Sequence, residues 1–171
     1  AEAVGVDLGT AAKAVGTFGG VGRRFEPRGS ADGVTLVDDY AHLPTEVAAA
    51  LAAGRDGGWE RVVCVFQPHR YSRTEALWRD FADAFGDADL LAVTGIYPSG
   101  EKPRPGVTGK LVVDAVLDAH PWKHVAYLPG LDDVLVWLKG VLRPGDLCLT
   151  LGAGDLTGLP PRILAMLEAR R

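Results

Sequence analysis

Along this chain the spacing of hydrophobic positions switches repeatedly between two patterns, and the switching predicts an architecture. Continuous apolar runs occupy residues 34–37, 61–66, 90–94, 124–128 and 146–151. Runs that do not alternate with polar residues suit strands buried on both faces of a sheet. Between them the apolar residues recur with helical spacing. Residues 44–53 open on Pro44, which fits a first helical position, and stop at Gly54, which suits the left-handed position after a helix. Val47, Ala48, Leu51 and Ala52 are the expected buried face of that helix. A second stripe is Leu77, Trp78, Phe81, Ala82 and Phe85, expected on one helix. Residues 109–119, 131–142 and 161–171 predict three more helices. The clearest is 131–142, where Leu131, Val134, Leu135, Leu138 and Val141 keep a 3.6-residue period and Asp132, Asp133 and Lys139 face outward. Strands alternating with helices imply an α/β fold with a doubly wound, mainly parallel sheet and helices on both faces.

The first part of the chain follows neither pattern clearly. Residues 9–19 are small and Ala-rich and predict a short helix ending near paired glycines, while residues 23–31, with Pro27 and Gly29, predict a loop. Residues 1–20 are therefore expected to be a linker or the tail of another domain, and residues 21–171 one domain.

Composition narrows the function classes. With 171 residues and 47% hydrophobic content, the chain can bury a sizeable core. A net charge of −4 argues against a nucleic-acid partner, which calls for a basic surface. No apolar run reaches the ~20 residues that span a bilayer, and no signal-peptide pattern opens the chain, so a cytoplasmic protein without a membrane partner is expected. Cys64 and Cys148 lie within apolar strand-like runs and are expected to be buried free thiols.

The candidate chemistry sits where strands end. The first apolar run stops at Asp38-Asp39-Tyr40-Ala41-His42, and the second at Gln67-Pro68-His69-Arg70-Tyr71-Ser72-Arg73. In an open parallel sheet, ligands bind at the carboxyl ends of the strands. A carboxylate there can hold a sugar diol, and two guanidinium groups can grip carboxylate or phosphate in a bidentate manner. Two glycine-rich loops fail as phosphate loops. Gly95 to Gly100 is followed by Glu101 and then Lys102-Pro103, where lysine and a hydroxyl residue are required, and Thr157 takes the third glycine position after Gly152 and Gly154. The second loop is better read as a tight turn. No His/Cys spacing suits zinc, and no Gly-x-Ser-x-Gly elbow is present.

Taken together, Gly-Val-Gly-Arg-Arg-Phe-Glu from Gly20, Val-Asp-Asp-Tyr-Ala-His-Leu-Pro-Thr-Glu, Val-Phe-Gln-Pro-His-Arg-Tyr-Ser-Arg-Thr, Ile-Tyr-Pro-Ser-Gly-Glu and Leu-Gly-Ala-Gly-Asp resemble, in content and order, the carboxyl-terminal domain of Mur ligases. They are most similar to members that join L-alanine to UDP-N-acetylmuramate in peptidoglycan precursor synthesis. The resemblance implies a Rossmann-like domain of a three-domain enzyme, partnered by an amino-terminal domain that holds the UDP-sugar and a central one that carries the phosphate loop. It implies ATP and Mg2+ as cofactors, bound mainly by the central domain. It also implies activation of a carboxylate as an acyl phosphate, followed by attack of the amino acid's amine. By resemblance Arg24, Asp39 and Tyr40 are nucleotide-side residues, with Asp39 on the ribose, and His42 lies beside the reacting centre. His69, Arg70 and Arg73 face the muramoyl carboxylate and incoming alanine as positively charged donors. No residue is implied as a metal ligand. Strand alternation lets only one of Asp38 and Asp39 enter the cleft, and the resemblance selects Asp39. Leu43 stands where these ligases commonly have a second histidine. Gln67-Pro68-His69-Arg70 disfavours the related ligase that recycles a tripeptide. That enzyme and a non-catalytic nucleotide-binding module are the alternatives. The chain alone, lacking a phosphate loop, is expected to be inactive.

Overall fold

The computed structural model describes residues 5–16 and 21–170. Helix α1 (Leu8–Gly16) is followed by strands β1 (Glu26–Ala31) and β2 (Val34–Asp39), helix α2 (Pro44–Asp56) and strand β3 (Arg61–Phe66). Helix α3 (Tyr71–Leu77) runs into a 3-10 turn (Trp78–Phe81), then strand β4 (Leu90–Val93), helix α4 (Lys110–Ala119) and strand β5 (His124–Tyr127). Helix α5 (Leu131–Val141), strand β6 (Asp146–Leu151), a second 3-10 turn (Asp155–Gly158) and helix α6 (Leu159–Glu168) complete the order. The expected continuation of α1 to residue 19 lies outside the described residues, as do parts of the expected 1–20 linker and the last residue of the expected terminal helix. Among the described residues no helix is long and apolar enough to cross a membrane.

The six strands among the described residues form one sheet in the order β1-β2-β6-β3-β4-β5, parallel throughout except for β1 against β2. Side chains alternate across it. Val62, Cys64 and Phe66 enter a core layer beneath α2, the Trp78–Phe81 turn and α4, whereas Val63 and Val65 enter the opposite layer beneath α5 and α6. Burial on both faces explains the unbroken apolar runs. The fold is the expected Rossmann-like α/β sheet, and both cysteines are free and buried, one in each layer.

Three local expectations are corrected. Residues 26–31 are not a loop but the edge strand β1, joined to β2 by the two-residue turn Asp32-Gly33. Both turn residues have positive φ (50° and 73°), the combination that a tight hairpin connection needs. A register shift between Pro27 and Gly29 and the lack of a Pro27 N–H are tolerated because β1 has a neighbour on one side only. Helix α2 does not stop at Gly54. It continues to Asp56, and its buried face is Val47, Ala50, Leu51 and Gly54, while Ala48 and Ala52 are exposed. A Cβ on Gly54 would stand 2.9 Å from Leu147 Cδ2, so the glycine serves helix-to-sheet packing and not termination. The stripe from Leu77 to Phe85 is not one helix. The chain tightens after Leu77, and Phe81 and Phe85 pack on Phe66 with ring centroids 5.1 and 5.3 Å away.

The topology creates a crevice. The chain leaves β2 and β3 toward helices on one face, whereas the strand between them, β6, is followed by α6 on the other. Neighbouring connections thus diverge at the carboxyl ends of β2, β6 and β3, the usual position of a ligand site in an open sheet.

Candidate functional site

At the end of β2, neighbouring carboxylates have opposite fates because strand side chains alternate. Asp38 is fully buried and points along the sheet to β6. It accepts hydrogen bonds from Thr150 Oγ1 (2.7 Å), Thr157 Oγ1 (2.9 Å) and Arg23 Nε (3.2 Å). Arg23 also donates to the Gly152 carbonyl and lies over the Tyr40 ring, 4.9 Å from its centroid. Asp39, 7% exposed, lines a cavity of about 380 Å³ with Arg24, Phe25, Glu46 and three alanines of α2, Ala49, Ala50 and Ala53. Its two oxygens accept the Phe25 N–H (2.6 Å) and the Ala41 N–H (2.7 Å). A carboxylate has about four acceptor positions, so lone pairs remain for a ligand's hydroxyls.

From this cavity a run of rings crosses the strand ends. Tyr40 meets His42 edge-on at 5.4 Å, His42 meets His69 at 5.6 Å, and His69 stacks on Tyr97 at 5.6 Å with an 18° interplanar angle. His42 is held locally: its Nδ1 lies 3.0 Å from the Tyr40 carbonyl, and its backbone N–H donates to Glu46 Oε2 at 3.0 Å. The Leu43 N–H donates to that same oxygen at 3.2 Å. Glu46 thereby closes the first turn of α2, so leucine at position 43 leaves the helix start intact.

His69 is 9% exposed, and its Nδ1 lies 3.0 Å from Arg73 Nη1. A guanidinium can only donate, so Nδ1 accepts and the imidazole proton resides on Nε2. Burial, then the charge of Arg73, push the His69 pKa below its ordinary value. The expectation of a positively charged His69 is therefore corrected: desolvation and an adjacent cation keep the ring neutral. The stability consequence has a definite sign. A histidine whose folded pKa is depressed lets the unfolded chain bind more protons, so its contribution is complete above the unfolded value and is lost as pH falls from about 6.5 toward the folded value. Unfolding free energy measured by urea from pH 7.5 to 5 should decline in that window, and His69→Gln should flatten the decline. An equal slope in both proteins would contradict it.

Arg70 is exposed, and its guanidinium makes no hydrogen bond or ion pair with a described residue. Its backbone adopts a φ of +70°, uncommon without glycine. The structure thus gathers Arg24, Asp39, Tyr40, His42, His69 and Arg73 along one edge and leaves Arg70 facing solvent beside them. Sequence reasoning assigned no role to Arg23 or Tyr97, although both lie in quoted segments. Polar residues gathered where a strand ends were the available signal for Tyr97, and a cation fifteen positions before a buried aspartate gave none for Arg23.

The glycine turn after β6 is structural. Gln67 bridges it, donating to Asp155 Oδ1 (2.7 Å) and accepting the Leu156 N–H (3.2 Å), while a Cβ on Gly154 would stand 2.4 Å from Tyr97 Cγ. Burial pushes the Cys148 thiol up to about 12, and Cys64 is also raised, so neither is a nucleophile near neutral pH. Among the described residues no group of three or more His, Cys, Asp or Glu could hold a metal ion.

Residues 23–154 match the family model for the Mur ligase glutamate ligase domain. The UDP-N-acetylmuramate–L-alanine ligase of Anaeromyxobacter sp. (strain Fw109-5) is 47% identical over 169 residues, 99% of this chain and 36% of its own length. The ligase of that name from Rubrobacter xylanophilus is 46% identical over 96% of this chain and 37% of its own. Among solved structures, UDP-N-acetylmuramate-alanine ligase from Thermotoga maritima superposes with a TM-score of 0.77 at 27% identity, covering 99% of this chain and 35% of that one. A murein peptide ligase from Psychrobacter arcticus shares the fold, with a TM-score of 0.73 at 21% identity over 98% of this chain and 34% of that one. The chain spans about a third of the length of the curated relatives it matches. With the expected motifs, the doubly wound sheet and these similarities in agreement, this chain belongs to the Mur ligase family.

Proposed function

We propose that this chain is the carboxyl-terminal third of an ATP-dependent ligase that joins L-alanine to the carboxylate of UDP-N-acetylmuramate during peptidoglycan precursor synthesis. One observation carries the reading: a cavity suited to a nucleoside and a basic, imidazole-rich ridge suited to acidic oxygens share one sheet edge. The names borne by relatives at 46–47% identity support this reaction. Residues 21–171 are the domain, and residues 1–20 are a linker or the tail of the central one.

The cavity chemistry fits a nucleoside. Alanine methyl groups and Phe25 offer an apolar wall to a base, Asp39 offers acceptors to a ribose diol, and Arg24 and Tyr40 stand at the rim. ATP, when bound, supplies the phosphoryl group that activates the muramoyl carboxylate. Arg70 and Arg73 draw carboxylate and phosphoryl oxygens to the ridge and stabilise negative charge growing on them. His69, neutral with Nε2 as donor, adds a hydrogen bond without repelling an incoming amine, and His42 lies beside it. The donor set of the described residues does not fit Mg2+ on its own, so the metal is assigned to another part of the ligase.

The test is phosphate release. The protein that carries this chain, given ATP and UDP-N-acetylmuramate, should release phosphate when L-alanine is added. The 171-residue chain alone should release none, because it contains no phosphate loop. Release that requires a tripeptide in place of alanine would transfer the reading to the recycling ligase. Release by the chain alone would overturn the assignment of phosphoryl chemistry to another domain.

A further inference from the structure

The loop after β4 reaches across the sheet edge and grips the turn that carries His69, Arg70 and Arg73. Tyr97 brackets that turn with two backbone hydrogen bonds, donating from its N–H to the Pro68 carbonyl (2.9 Å) and accepting the Arg70 N–H on its own carbonyl (2.8 Å). Its ring is stacked on His69, and the base of its side chain lies against Gly154, where no side chain would fit. Four residues farther on, the Glu101 carboxylate takes both donors of Ser72, the N–H at 2.9 Å and the hydroxyl at 2.5 Å. Arg104 then pairs with Glu75 of α3. Arg70, with its positive φ, is the residue held between the Tyr97 and Glu101 anchors. A non-glycine residue stays in such a conformation only when its surroundings over-determine it.

We propose that Glu101, clipped to Ser72, is a positioning residue that fixes the backbone of Arg70 and so the aim of the His69–Arg73 ridge toward the incoming amino acid. The proposal rests on the ligase reading for the amino acid and on geometry alone for the clip. Glu101 acts through Ser72: Ser72→Ala removes the hydroxyl half of the clip and leaves the N–H half, so the loss at Ser72 is contained within the loss at Glu101. If Glu101 instead touched the amino acid directly, its loss and that of Ser72 would be independent.

A double-mutant cycle separates these cases. In the protein that carries this chain, Glu101→Ala, Ser72→Ala and the double variant should each speed hydrogen exchange of the Arg70 amide and lower kcat/KM for L-alanine, the Glu101 variants about tenfold, with the KM for ATP unchanged. The double variant should be no worse than the Glu101 variant alone. Ser72→Thr, which keeps both donors, should retain wild-type values. Additive losses, unaltered Arg70 exchange, or faster exchange with wild-type alanine kinetics would each overturn the proposal. A wild-type protein that does not use L-alanine at all would instead overturn the ligase reading, and the exchange result would still decide whether the clip holds Arg70.

Discussion

Asp38→Ala should destabilise the chain by about 3 kcal/mol, although Asp38 does not line the cavity beside Asp39. The carboxylate is fully buried, and its removal takes the charged acceptor from three donors at once: the Thr150 and Thr157 hydroxyls and Arg23 Nε, of which Thr150 keeps a long contact to the Val37 carbonyl and Arg23 its bond to Gly152. Breaking a buried ion pair from one side costs about 3–5 kcal/mol, and the partial exposure of Arg23 lets water recover some of it. Asp38→Asn, which keeps the shape and one acceptor oxygen, should cost less. Urea unfolding with an unchanged m-value is the appropriate measurement, since a shift in midpoint at constant slope reports stability alone. A loss below about 1 kcal/mol would mean that the network contributes little beyond solvation. The same change should loosen the Gly152 turn and the Arg23–Tyr40 contact, linking core stability to the site edge.

In the protein that carries this chain, Arg70→Lys and Asp39→Ala should produce opposite kinetic signatures. Lysine keeps the charge and bears the same positive-φ strain as arginine, because both have a Cβ, so this substitution isolates the head group. A bidentate, charge-assisted contact is worth roughly 1.5–3 kcal/mol, and the point charge of an ammonium cannot reproduce the planar fork. The expected loss is about 10- to 100-fold in kcat/KM for L-alanine with the KM for ATP almost unaltered. Asp39→Ala should instead raise the KM for ATP and leave turnover at saturation nearly intact, because a ribose contact is the same in ground and transition states. Wild-type kinetics in a folded Arg70→Lys protein would return Arg70 to a solvated surface role. A collapsed turnover number with unchanged ATP saturation would show that Asp39 has been given the wrong task.

The sheet was largely legible in the chain because its central strands are buried on both sides. Residues 61–66 and 146–151 are strands over those bounds, and runs of six are too short for a buried helix. The edge strand Glu26–Ala31 escaped because it is mostly solvated and has a proline and a glycine, so it lacks the apolar signal. The Asp32-Gly33 pair was the one clue to its hairpin. Gly54 was misread because a glycine that ends a helix and one that lets a helix approach a sheet look alike until Leu147 is placed against it. Strand alternation foretold that one of Asp38 and Asp39 would turn away, and family resemblance chose the one that lines the cavity. The neutrality of His69 was beyond sequence, since it depends on burial and on an arginine four residues later folding back onto Nδ1.

The most direct measurement exchanges this chain into a relative. In the Anaeromyxobacter ligase, the matched segment, 36% of its length, would be replaced by this chain, and ATP-dependent formation of UDP-N-acetylmuramoyl-L-alanine followed by mass spectrometry. If the chain supplies the amino-acid-facing edge of the ligase, the chimera makes that product, and Arg70→Lys within it lowers the rate by at least about tenfold. A folded chimera that binds ATP yet forms no alanyl product, or one indifferent to Arg70→Lys, would contradict the account.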